Sequence, residues 1–221
     1  MRNSLAGLLA SSIARCETGS YFHDELFDVK IPQKIEVKGF HGTRNRQDLF
    51  ATARRCMNDW CFFKPARAYV LGLFVDHAAL NRLRTQSVDP SVKVSREDVF
   101  KTECPKSFVL FFASSKDMKH IRRGFTRSFE TFIKDKPGTP ISRISDFLAV
   151  LDGIVKLERG DFIRVSCLAS TQTITVSLND AREVVLHNAD TLIDWIHSLY
   201  VGLESNPTAR YVSMQQTLRL G

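Results

Sequence analysis

Two residues interrupt the apolar segment AYVLGLFVD, residues 68–76, and both could take part in ligand binding. Tyr69 places a phenol near the start of the segment, and a phenol donates one hydrogen bond while its ring lines an apolar wall. Gly72 lies in the middle, where a strand gains nothing from glycine except room for a bend or for the close approach of a ligand or another backbone. The segment therefore predicts a buried strand that could also contact a ligand.

Other residue types that carry chemistry form no recognisable site in the sequence. The six histidines show no spacing typical of metal ligands, and neither a glycine-rich phosphate loop nor a G-x-S-x-G nucleophile motif is present. Asp117 and His120 could act as an acid–base pair, although an aspartate in a first helical turn more often interacts with the helix dipole. The five cysteines contain no C-x-x-C pair and suggest neither a disulfide framework nor a zinc site. We therefore expect no metal and no cofactor.

The hydrophobic pattern predicts the elements that would position Tyr69. Strands are predicted over residues 26–40, as two short strands around Pro32, over 68–76 and 106–114, and as three strands over 160–187. Helices are predicted over residues 46–60, 77–85, 95–103, 114–134 with Ser114 or Ser115 as cap, 141–154, and from Asn188 or Asp190 to Leu199. This order predicts an α+β fold in which helices cover one face of a largely antiparallel sheet.

Composition and charge indicate a globular protein with one full core. A chain of 221 residues with 43% hydrophobic residues is ordinary for one domain of generous size. The formal net charge of +7 would attract polyanions, but the basic residues are dispersed and no nucleic-acid motif is present, so we expect no nucleic-acid binding. No apolar run approaches the ~20 residues needed to span a bilayer. Peripheral membrane association and the oligomeric state remain open.

The N-terminal residues, 1–20, differ from the rest of the chain. They carry Arg2 and Arg15, several serines and no acid before Glu17, and their leucines would share one helical face. This composition is typical of a mitochondrial transit peptide, which leaves residues 21–221 as the folded domain and predicts a mitochondrial location, with the cytoplasm as the alternative. A secretory signal and an unprocessed surface helix are the other interpretations of this segment.

Four segments in order resemble a known family. They are GFHGTR (39–44), AYVLGLFVD, an apolar strand that leads into SSKDMKHIRRGF (114–125), and RGDFIRVS through TITVSL to a terminal helix ending in LYVGLESNPTAR (159–210). Together they resemble the chalcone isomerase superfamily over most of the chain. The resemblance implies an open-faced β-sandwich, a long antiparallel sheet with helices on one face and a ligand cleft between the sheet and the helices. It also implies that Tyr69 and Gly72 lie under this cleft.

The resemblance assigns the charged end of the cleft to Arg44 and Tyr69. Arg44, in HGTR, matches the cleft arginine of the family, which pairs with a phenolate in the enzymes and with a carboxylate in the lipid binders. Tyr69 falls where the enzymes use a threonine, and a tyrosine beside the arginine suits a fatty-acid carboxylate. Tyr69 follows Arg44 at about twice the family's separation, however, and the intervening residues 50–60 are predicted to form an extra helical piece that could cover or reshape the cleft.

The resemblance also points to the helix over residues 114–134. The positions at which the enzymes carry Tyr, Lys and Asn hold His120, Arg123 and Arg127 here. The resemblance implies that His120 and Arg123 contact the ligand. The same residues lie opposite the apolar stripe of the helix, so a solvated basic face is the alternative interpretation.

Two functions of different classes follow. The first is a non-catalytic binder of a fatty acid or a similar amphipathic carboxylate, with Arg44 and Tyr69 at the head group and Gly72, His120 and Arg123 lining the cleft. The second is an intramolecular lyase, an isomerase acting on a chalcone-like conjugated carbonyl compound, with Arg44, Tyr69 and Arg123 as catalytic residues. Loss of the enzymes' helix residues favours the binder. A structural protein with a closed cleft is a third possibility.

Overall fold

The computed structural model of the chain describes residues 20–38, 44–56, 64–86, 96–134, 136, 143–201 and 212–216. The strands are β1 (Tyr21–Asp24), β2 (Val29–Pro32), β3 (Lys34–Lys38), β4 (Arg44–Cys56), β5 (Arg67–Asp76), β6 (Lys106–Phe112), β7 (Lys116–Asp117), β8 (Lys156–Leu157), β9 (Phe162–Leu168), β10 (Thr173–Leu178), β11 (Arg182–Leu186) and β12 (Val212–Gln216). The α-helices are α1 (His77–Gln86), α2 (Arg96–Lys101), α3 (Met118–Ile133), α4 (Arg143–Leu148) and α5 (Asp190–Val201). None of these helices combines the length and apolarity that a membrane crossing requires.

An eight-stranded antiparallel sheet organises the molecule. Its strand order is β11-β10-β9-β6-β5-β4-β12, and β3 also pairs with β4. The long strand β4 pairs with β3 over its first residues and with β12 further along, so both lie on the edge of β4 that faces away from β5. Strands β1 and β2 form a separate hairpin, and β7 pairs with β8.

The sheet is covered by two different layers. All five helices contribute to one core, in which residues such as Leu80, Phe129 and Trp195 pack against the sheet. On the opposite face, the β1–β2 hairpin and its turn place Phe27, Val29 and Ile31 in a second, smaller core. We call these the helix face and the hairpin face. The predicted α+β fold, an open-faced β-sandwich with a long antiparallel sheet, is thereby confirmed.

Aromatic contacts around Trp195 hold three helices together over the sheet. The fully buried indole of Trp195, on α5, meets Phe129 of α3 and Phe147 of α4 edge-on, each with ring centroids 5.3 Å apart. Its Nε1–H donates a hydrogen bond to Ser128 Oγ on α3 at 3.2 Å. The indole thus buries its apolar body and satisfies its one donor within the same cluster.

The prediction of a helix over residues 46–60 is wrong, because most of this segment forms strand β4. Leu49 packs in the core of the hairpin face, whereas Phe50 and Ala51 pack in the core of the helix face. The register with β5 shifts between Leu49 and Ala51, which is a β-bulge. Strand β4 is buried on both faces and contains one extra residue. Its apolar and polar residues therefore do not alternate as in a half-exposed strand, and the apolar residues fall at helix-like spacing.

The predicted cap of α3 is also wrong. The helix begins at Met118, and the Asp117 carboxylate accepts a hydrogen bond from the Lys119 backbone N–H at 2.7 Å. Ser114 instead donates to the carbonyl oxygen of Arg67 at 2.6 Å, and Ser115 donates to Glu158. The predicted leader, residues 1–20, lies outside the described residues apart from Ser20 and stays a prediction.

Gly72 makes room for a phenylalanine ring on the hairpin face. A Cβ built on Gly72 would lie 2.8 Å from Cε2 of Phe74 and 3.3 Å from Cδ1 of Leu49. Phe74 is fully buried in the core beneath the hairpin, so its ring has little freedom to move away. The glycine therefore serves side-chain packing within the protein.

We expect Gly72→Ala to lower the free energy of unfolding by about 1–3 kcal/mol, because overpacking a filled core forces neighbouring side chains out of their preferred rotamers. Gly124→Ala is the matched control. A Cβ at Gly124 on α3 meets nothing within 4 Å, and alanine in an exposed helix should stabilise by about 0.5–1 kcal/mol. Urea unfolding of both variants checks the pair. A stable Gly72→Ala protein would contradict this account.

A half-buried histidine, His197, lies between α2, α5 and β6. The His197 ring is 5.2 Å from the ring centroid of Phe100 and 5.9 Å from that of Phe108. Its Nε2 is buried without a hydrogen-bond partner. Burial, with a smaller contribution from the positive charge of Lys106, lowers the pKa of His197 to about 4. The folded protein therefore holds this imidazole neutral.

Acid should destabilise the protein through His197. The unfolded chain gains a proton on this residue near its ordinary pKa of 6.5, whereas the folded chain gains it only near 4. Stability from this group is thus complete above pH 6.5 and is lost as the pH falls towards 4. We expect it to account for a loss of about 2 kcal/mol between pH 7 and pH 5.

Urea unfolding at these two pH values checks this expectation. His197→Phe should show a smaller decrease in stability than the unaltered protein. His187→Gln, which changes an exposed histidine, should follow the unaltered protein. An equal decrease in the unaltered protein and in His197→Phe would show that other groups cause the acid sensitivity.

Candidate functional site

Three residues on adjacent central strands lie side by side and could form the charged end of a binding site. Tyr69 of β5 is paired directly with Arg55 of β4 on one side and with Phe112 of β6 on the other. Directly opposite residues of antiparallel strands point to the same face, with Cβ atoms about 4.5–5.5 Å apart. The register therefore places a guanidinium, a phenol and an aromatic ring in one row.

This row faces the helices. Tyr69 packs against the core of the helix face, and its ring meets that of Phe112 at a centroid distance of 5.9 Å and an interplanar angle of 64°. The residue before Arg55 points the other way, since Arg54 Nε donates to Asp24 of the hairpin at 2.7 Å. Because side chains alternate along a strand, Arg55 belongs to the same face as Tyr69.

The two polar members of the row are half-buried, whereas Phe112 is fully buried. A guanidinium keeps its charge when partly withdrawn from water and offers a planar fork that matches a carboxylate. The tyrosine hydroxyl adds one hydrogen-bond donor, and the two aromatic rings supply an apolar wall. The row has the chemistry to hold the head group of an amphipathic anion.

The structure does not bring Arg44 to Tyr69. Arg44 begins β4, pairs with Lys38 of β3, and has a side chain that is 77% exposed and bonds to Glu36 at 3.3 Å. It lies eleven residues before Arg55 on the same strand, roughly 35 Å along an extended chain. Arg55 was missed because its segment was assigned to a helix. It precedes Tyr69 by fourteen residues, close to the separation that the resemblance implies.

Gly72 does not share a face with Tyr69. They are three positions apart on a continuous strand, so their positions point to opposite sides of the sheet. Tyr69 reaches the helix-face core, whereas Gly72 lies against Leu49 and Phe74 on the hairpin face. The prediction that both lie under one cleft therefore has no counterpart in this geometry.

The helix residues implied by the resemblance point away from the sheet. His120, Arg123 and Arg127 are all exposed on the outer surface of α3. The apolar stripe of this helix, Met118, Ile121, Phe125, Phe129 and Phe132, packs into the helix-face core. The geometry matches the alternative interpretation of a solvated basic face, and a ligand contact for His120 or Arg123 stays a prediction.

The buried titratable groups elsewhere in the core are poorly suited to nucleophilic chemistry. Cys104 and Cys167 are free and buried, and burial raises both thiol pKa values, that of Cys167 to about 12. Burial lowers the pKa of Lys106, whose Nζ donates to the carbonyl oxygens of Thr102 at 2.5 Å and Cys104 at 3.4 Å. All three groups are buried, and Lys106 is held by its bonds to backbone carbonyls.

Among the described residues, neither a metal site nor a free thiol lies beside the row. Within the described ranges, no group of three or more histidine, cysteine, aspartate or glutamate residues could hold a metal ion. Cys56, next to Arg55, is disulfide-bonded, so a disulfide is present although the cysteine spacing suggests no disulfide framework. Its partner lies outside the described residues.

Comparisons with known proteins identify the fold. No protein-family model and no curated protein matches the chain. The crystal structure of a fatty-acid binding protein from Arabidopsis thaliana is similar, with a TM-score of 0.63 over 84% of this chain and 90% of that chain, at 14% sequence identity. A likeness at this identity establishes architecture and leaves activity to the residues of the site. The chain therefore has the chalcone isomerase-like fold, shared with a fatty-acid binding protein.

Proposed function

We propose that this protein is a non-catalytic binder of a fatty acid or a similar amphipathic carboxylate. The carboxylate binds to Arg55 and Tyr69, and the acyl chain extends between the helix face of the sheet and the helices. The observation that carries the proposal is the direct cross-strand pairing of Arg55 with Tyr69 on the helix face. A neighbour of the same fold is a fatty-acid binding protein, which supports this assignment.

The chemistry of the row suits a carboxylate. Hydrogen bonds between a guanidinium and a carboxylate are charge-assisted and often bidentate, and the phenol adds a third donor from the neighbouring strand. Phe112 and the adjoining core offer the apolar surface that an acyl chain requires. A mainly apolar site with a few convergent polar groups is the usual form of a small-molecule site.

The intramolecular lyase has less support. Its proposed residues are dispersed, because Arg44 lies at the far end of β4 and Arg123 is exposed on the outer surface of α3. Tyr69 also replaces the threonine that the enzymes use at this position. Catalysis by positioning requires these groups to converge on one substrate, and their separation removes that advantage.

The proposal predicts that Arg55 and Tyr69 control affinity for palmitate. We expect Arg55→Gln to weaken binding by at least about tenfold, since a hydrogen bond to a charged group contributes about 1.5–3 kcal/mol. Tyr69→Phe should weaken it by about fivefold, which corresponds to a neutral hydrogen bond of about 1 kcal/mol. Isothermal titration calorimetry of the full chain measures both, and native mass spectrometry detects co-purified fatty acid.

Arg44→Gln is the matched control, because it removes an arginine from the same strand at an exposed position far from Tyr69. Its affinity for palmitate should equal that of the unaltered protein. If Arg44→Gln lost binding while Arg55→Gln kept it, the head group would belong at the other end of β4. A protein that takes up no palmitate, yet cyclises a chalcone, would replace the binder with the lyase.

A further inference from the structure

A cavity lies near the hairpin, and neither Arg55 nor Tyr69 lines it. It has a volume of about 430 Å³, within the size range of small-molecule sites. Its walls come from the β1–β2 turn, the 3₁₀ turn at Lys64–Ala66, the start of β5, the connection from β6 to β7, and the turn between β8 and β9. Segments distant in sequence therefore converge on one pocket.

The lining is strongly cationic. Lys64, Arg67 and Arg159 line the cavity, and Asp28 is the one acidic residue among the described residues of its lining. The Arg159 guanidinium bonds to the Asp28 carboxylate and also donates to the Asp28 carbonyl oxygen at 2.9 Å. His23 bonds to the same carboxylate at 3.2 Å, and these contacts hold the pKa of Asp28 below its ordinary value. These four described residues together carry two net positive charges when all are ionised.

A nearby carboxylate does not cancel this charge. Glu158 is adjacent to the pocket and accepts a hydrogen bond from the lining residue Ser115. Its charge is offset by Lys156, whose Nζ lies 3.0 Å from a carboxylate oxygen of Glu158. Lys64 is exposed and has no bonded partner among the described residues.

The pocket also has an apolar wall and a rigid frame. The buried ring of Phe27 and the side chain of Ala113 line it. The Arg67 guanidinium lies 5.9 Å from the centroid of the Phe27 ring, within the range of a cation–π contact. The Ser114 hydroxyl donates to the Arg67 carbonyl oxygen at 2.6 Å and so ties the start of β5 to the end of β6.

We propose that this pocket binds a phosphate monoester that carries an apolar or aromatic substituent. The phosphate contacts Lys64, Arg67 and Arg159, and the substituent packs against Phe27. A phosphate monoester carries nearly two negative charges at neutral pH, which matches the net charge of the lining, whereas a carboxylate carries one. Arginine forks and a lysine ammonium are the usual groups that bind phosphate oxygens. The site goes beyond the fatty-acid site and is independent of it, because Arg67 contacts the hairpin whereas Tyr69 faces the helices.

Calorimetric titration of the full chain with phenyl phosphate, at constant ionic strength, tests the proposal. Lys64→Gln should weaken binding by about tenfold, the effect of losing one charge-assisted contact. Lys64→Arg should retain binding. Lys119→Gln is the control for loss of one exposed positive charge elsewhere, and with Arg55→Gln it should leave the affinity for phenyl phosphate unchanged.

Two comparison ligands test whether the pocket requires both the second negative charge and the aromatic ring of phenyl phosphate. Benzoate should bind more weakly than phenyl phosphate because it lacks the second charge, and inorganic phosphate should bind more weakly because it lacks the ring. Sedimentation with phosphatidylcholine vesicles containing phosphatidic acid distinguishes the source of the ester. Lys64-dependent binding to these vesicles indicates a lipid head group, and Lys64-dependent binding of phenyl phosphate alone indicates a soluble ester.

Three results would overturn the proposal. The first is that the unaltered protein binds neither phenyl phosphate nor vesicles containing phosphatidic acid. Another is an equal effect of Lys64→Gln and Lys119→Gln, which would indicate attraction by overall charge. The third is benzoate binding as tight as that of phenyl phosphate. Failure of palmitate binding with retention of phenyl phosphate binding would reject the fatty-acid proposal alone.

Discussion

Strand β5 is buried on both faces, and this constraint determines how the rest of the structure is arranged. Leu71, Leu73 and Val75 extend into the helix-face core, while Val70 and Phe74 extend into the core beneath the hairpin. A shift of one residue in the pairing would exchange the two sets and bury each against the wrong layer. The registers of β5 with β4 and β6 are therefore strongly specified. These registers pair Tyr69 with Arg55 on one side and with Phe112 on the other.

Much of this architecture could be predicted because several elements have strong, simple periodicity. Three parts of the structure appear where their hydrophobic patterns predict them. They are the apolar stripe of α3, the apolar strands β5 and β6, and the three strands from β9 to β11. Strand β4 could not be assigned in this way. Its bulge at Phe50 places two consecutive residues, Phe50 and Ala51, in the same core, so its apolar residues follow neither a period of two nor a true helical period.

That one misassignment also displaced the candidate site. If β4 were a helix, no arginine in it could face Tyr69 across a sheet, and the resemblance assigns the role to Arg44 in HGTR instead. The packing role of Gly72 could not be predicted from the sequence either, because it depends on the position of the Phe74 ring in the folded protein. The phosphate pocket could not be foreseen at all, since Lys64, Arg67 and Arg159 meet only after the hairpin and the turn between β8 and β9 are placed. Local patterns specify elements, and tertiary packing decides which side chains become neighbours.

Strands β3 and β12 share the outer edge of β4, and this arrangement bears on how the molecule avoids self-association. The backbone of β4 opposite β12 is otherwise an open row of donors and acceptors, between Ala51 and Arg54. Unpaired edges of this kind recruit strands from other molecules. By pairing there, β12 covers these groups of β4 and becomes the edge strand itself, and an edge strand this short pairs less readily with other molecules. Displacement of this short strand would turn the most apolar part of β4 into a template for oligomers or fibrils.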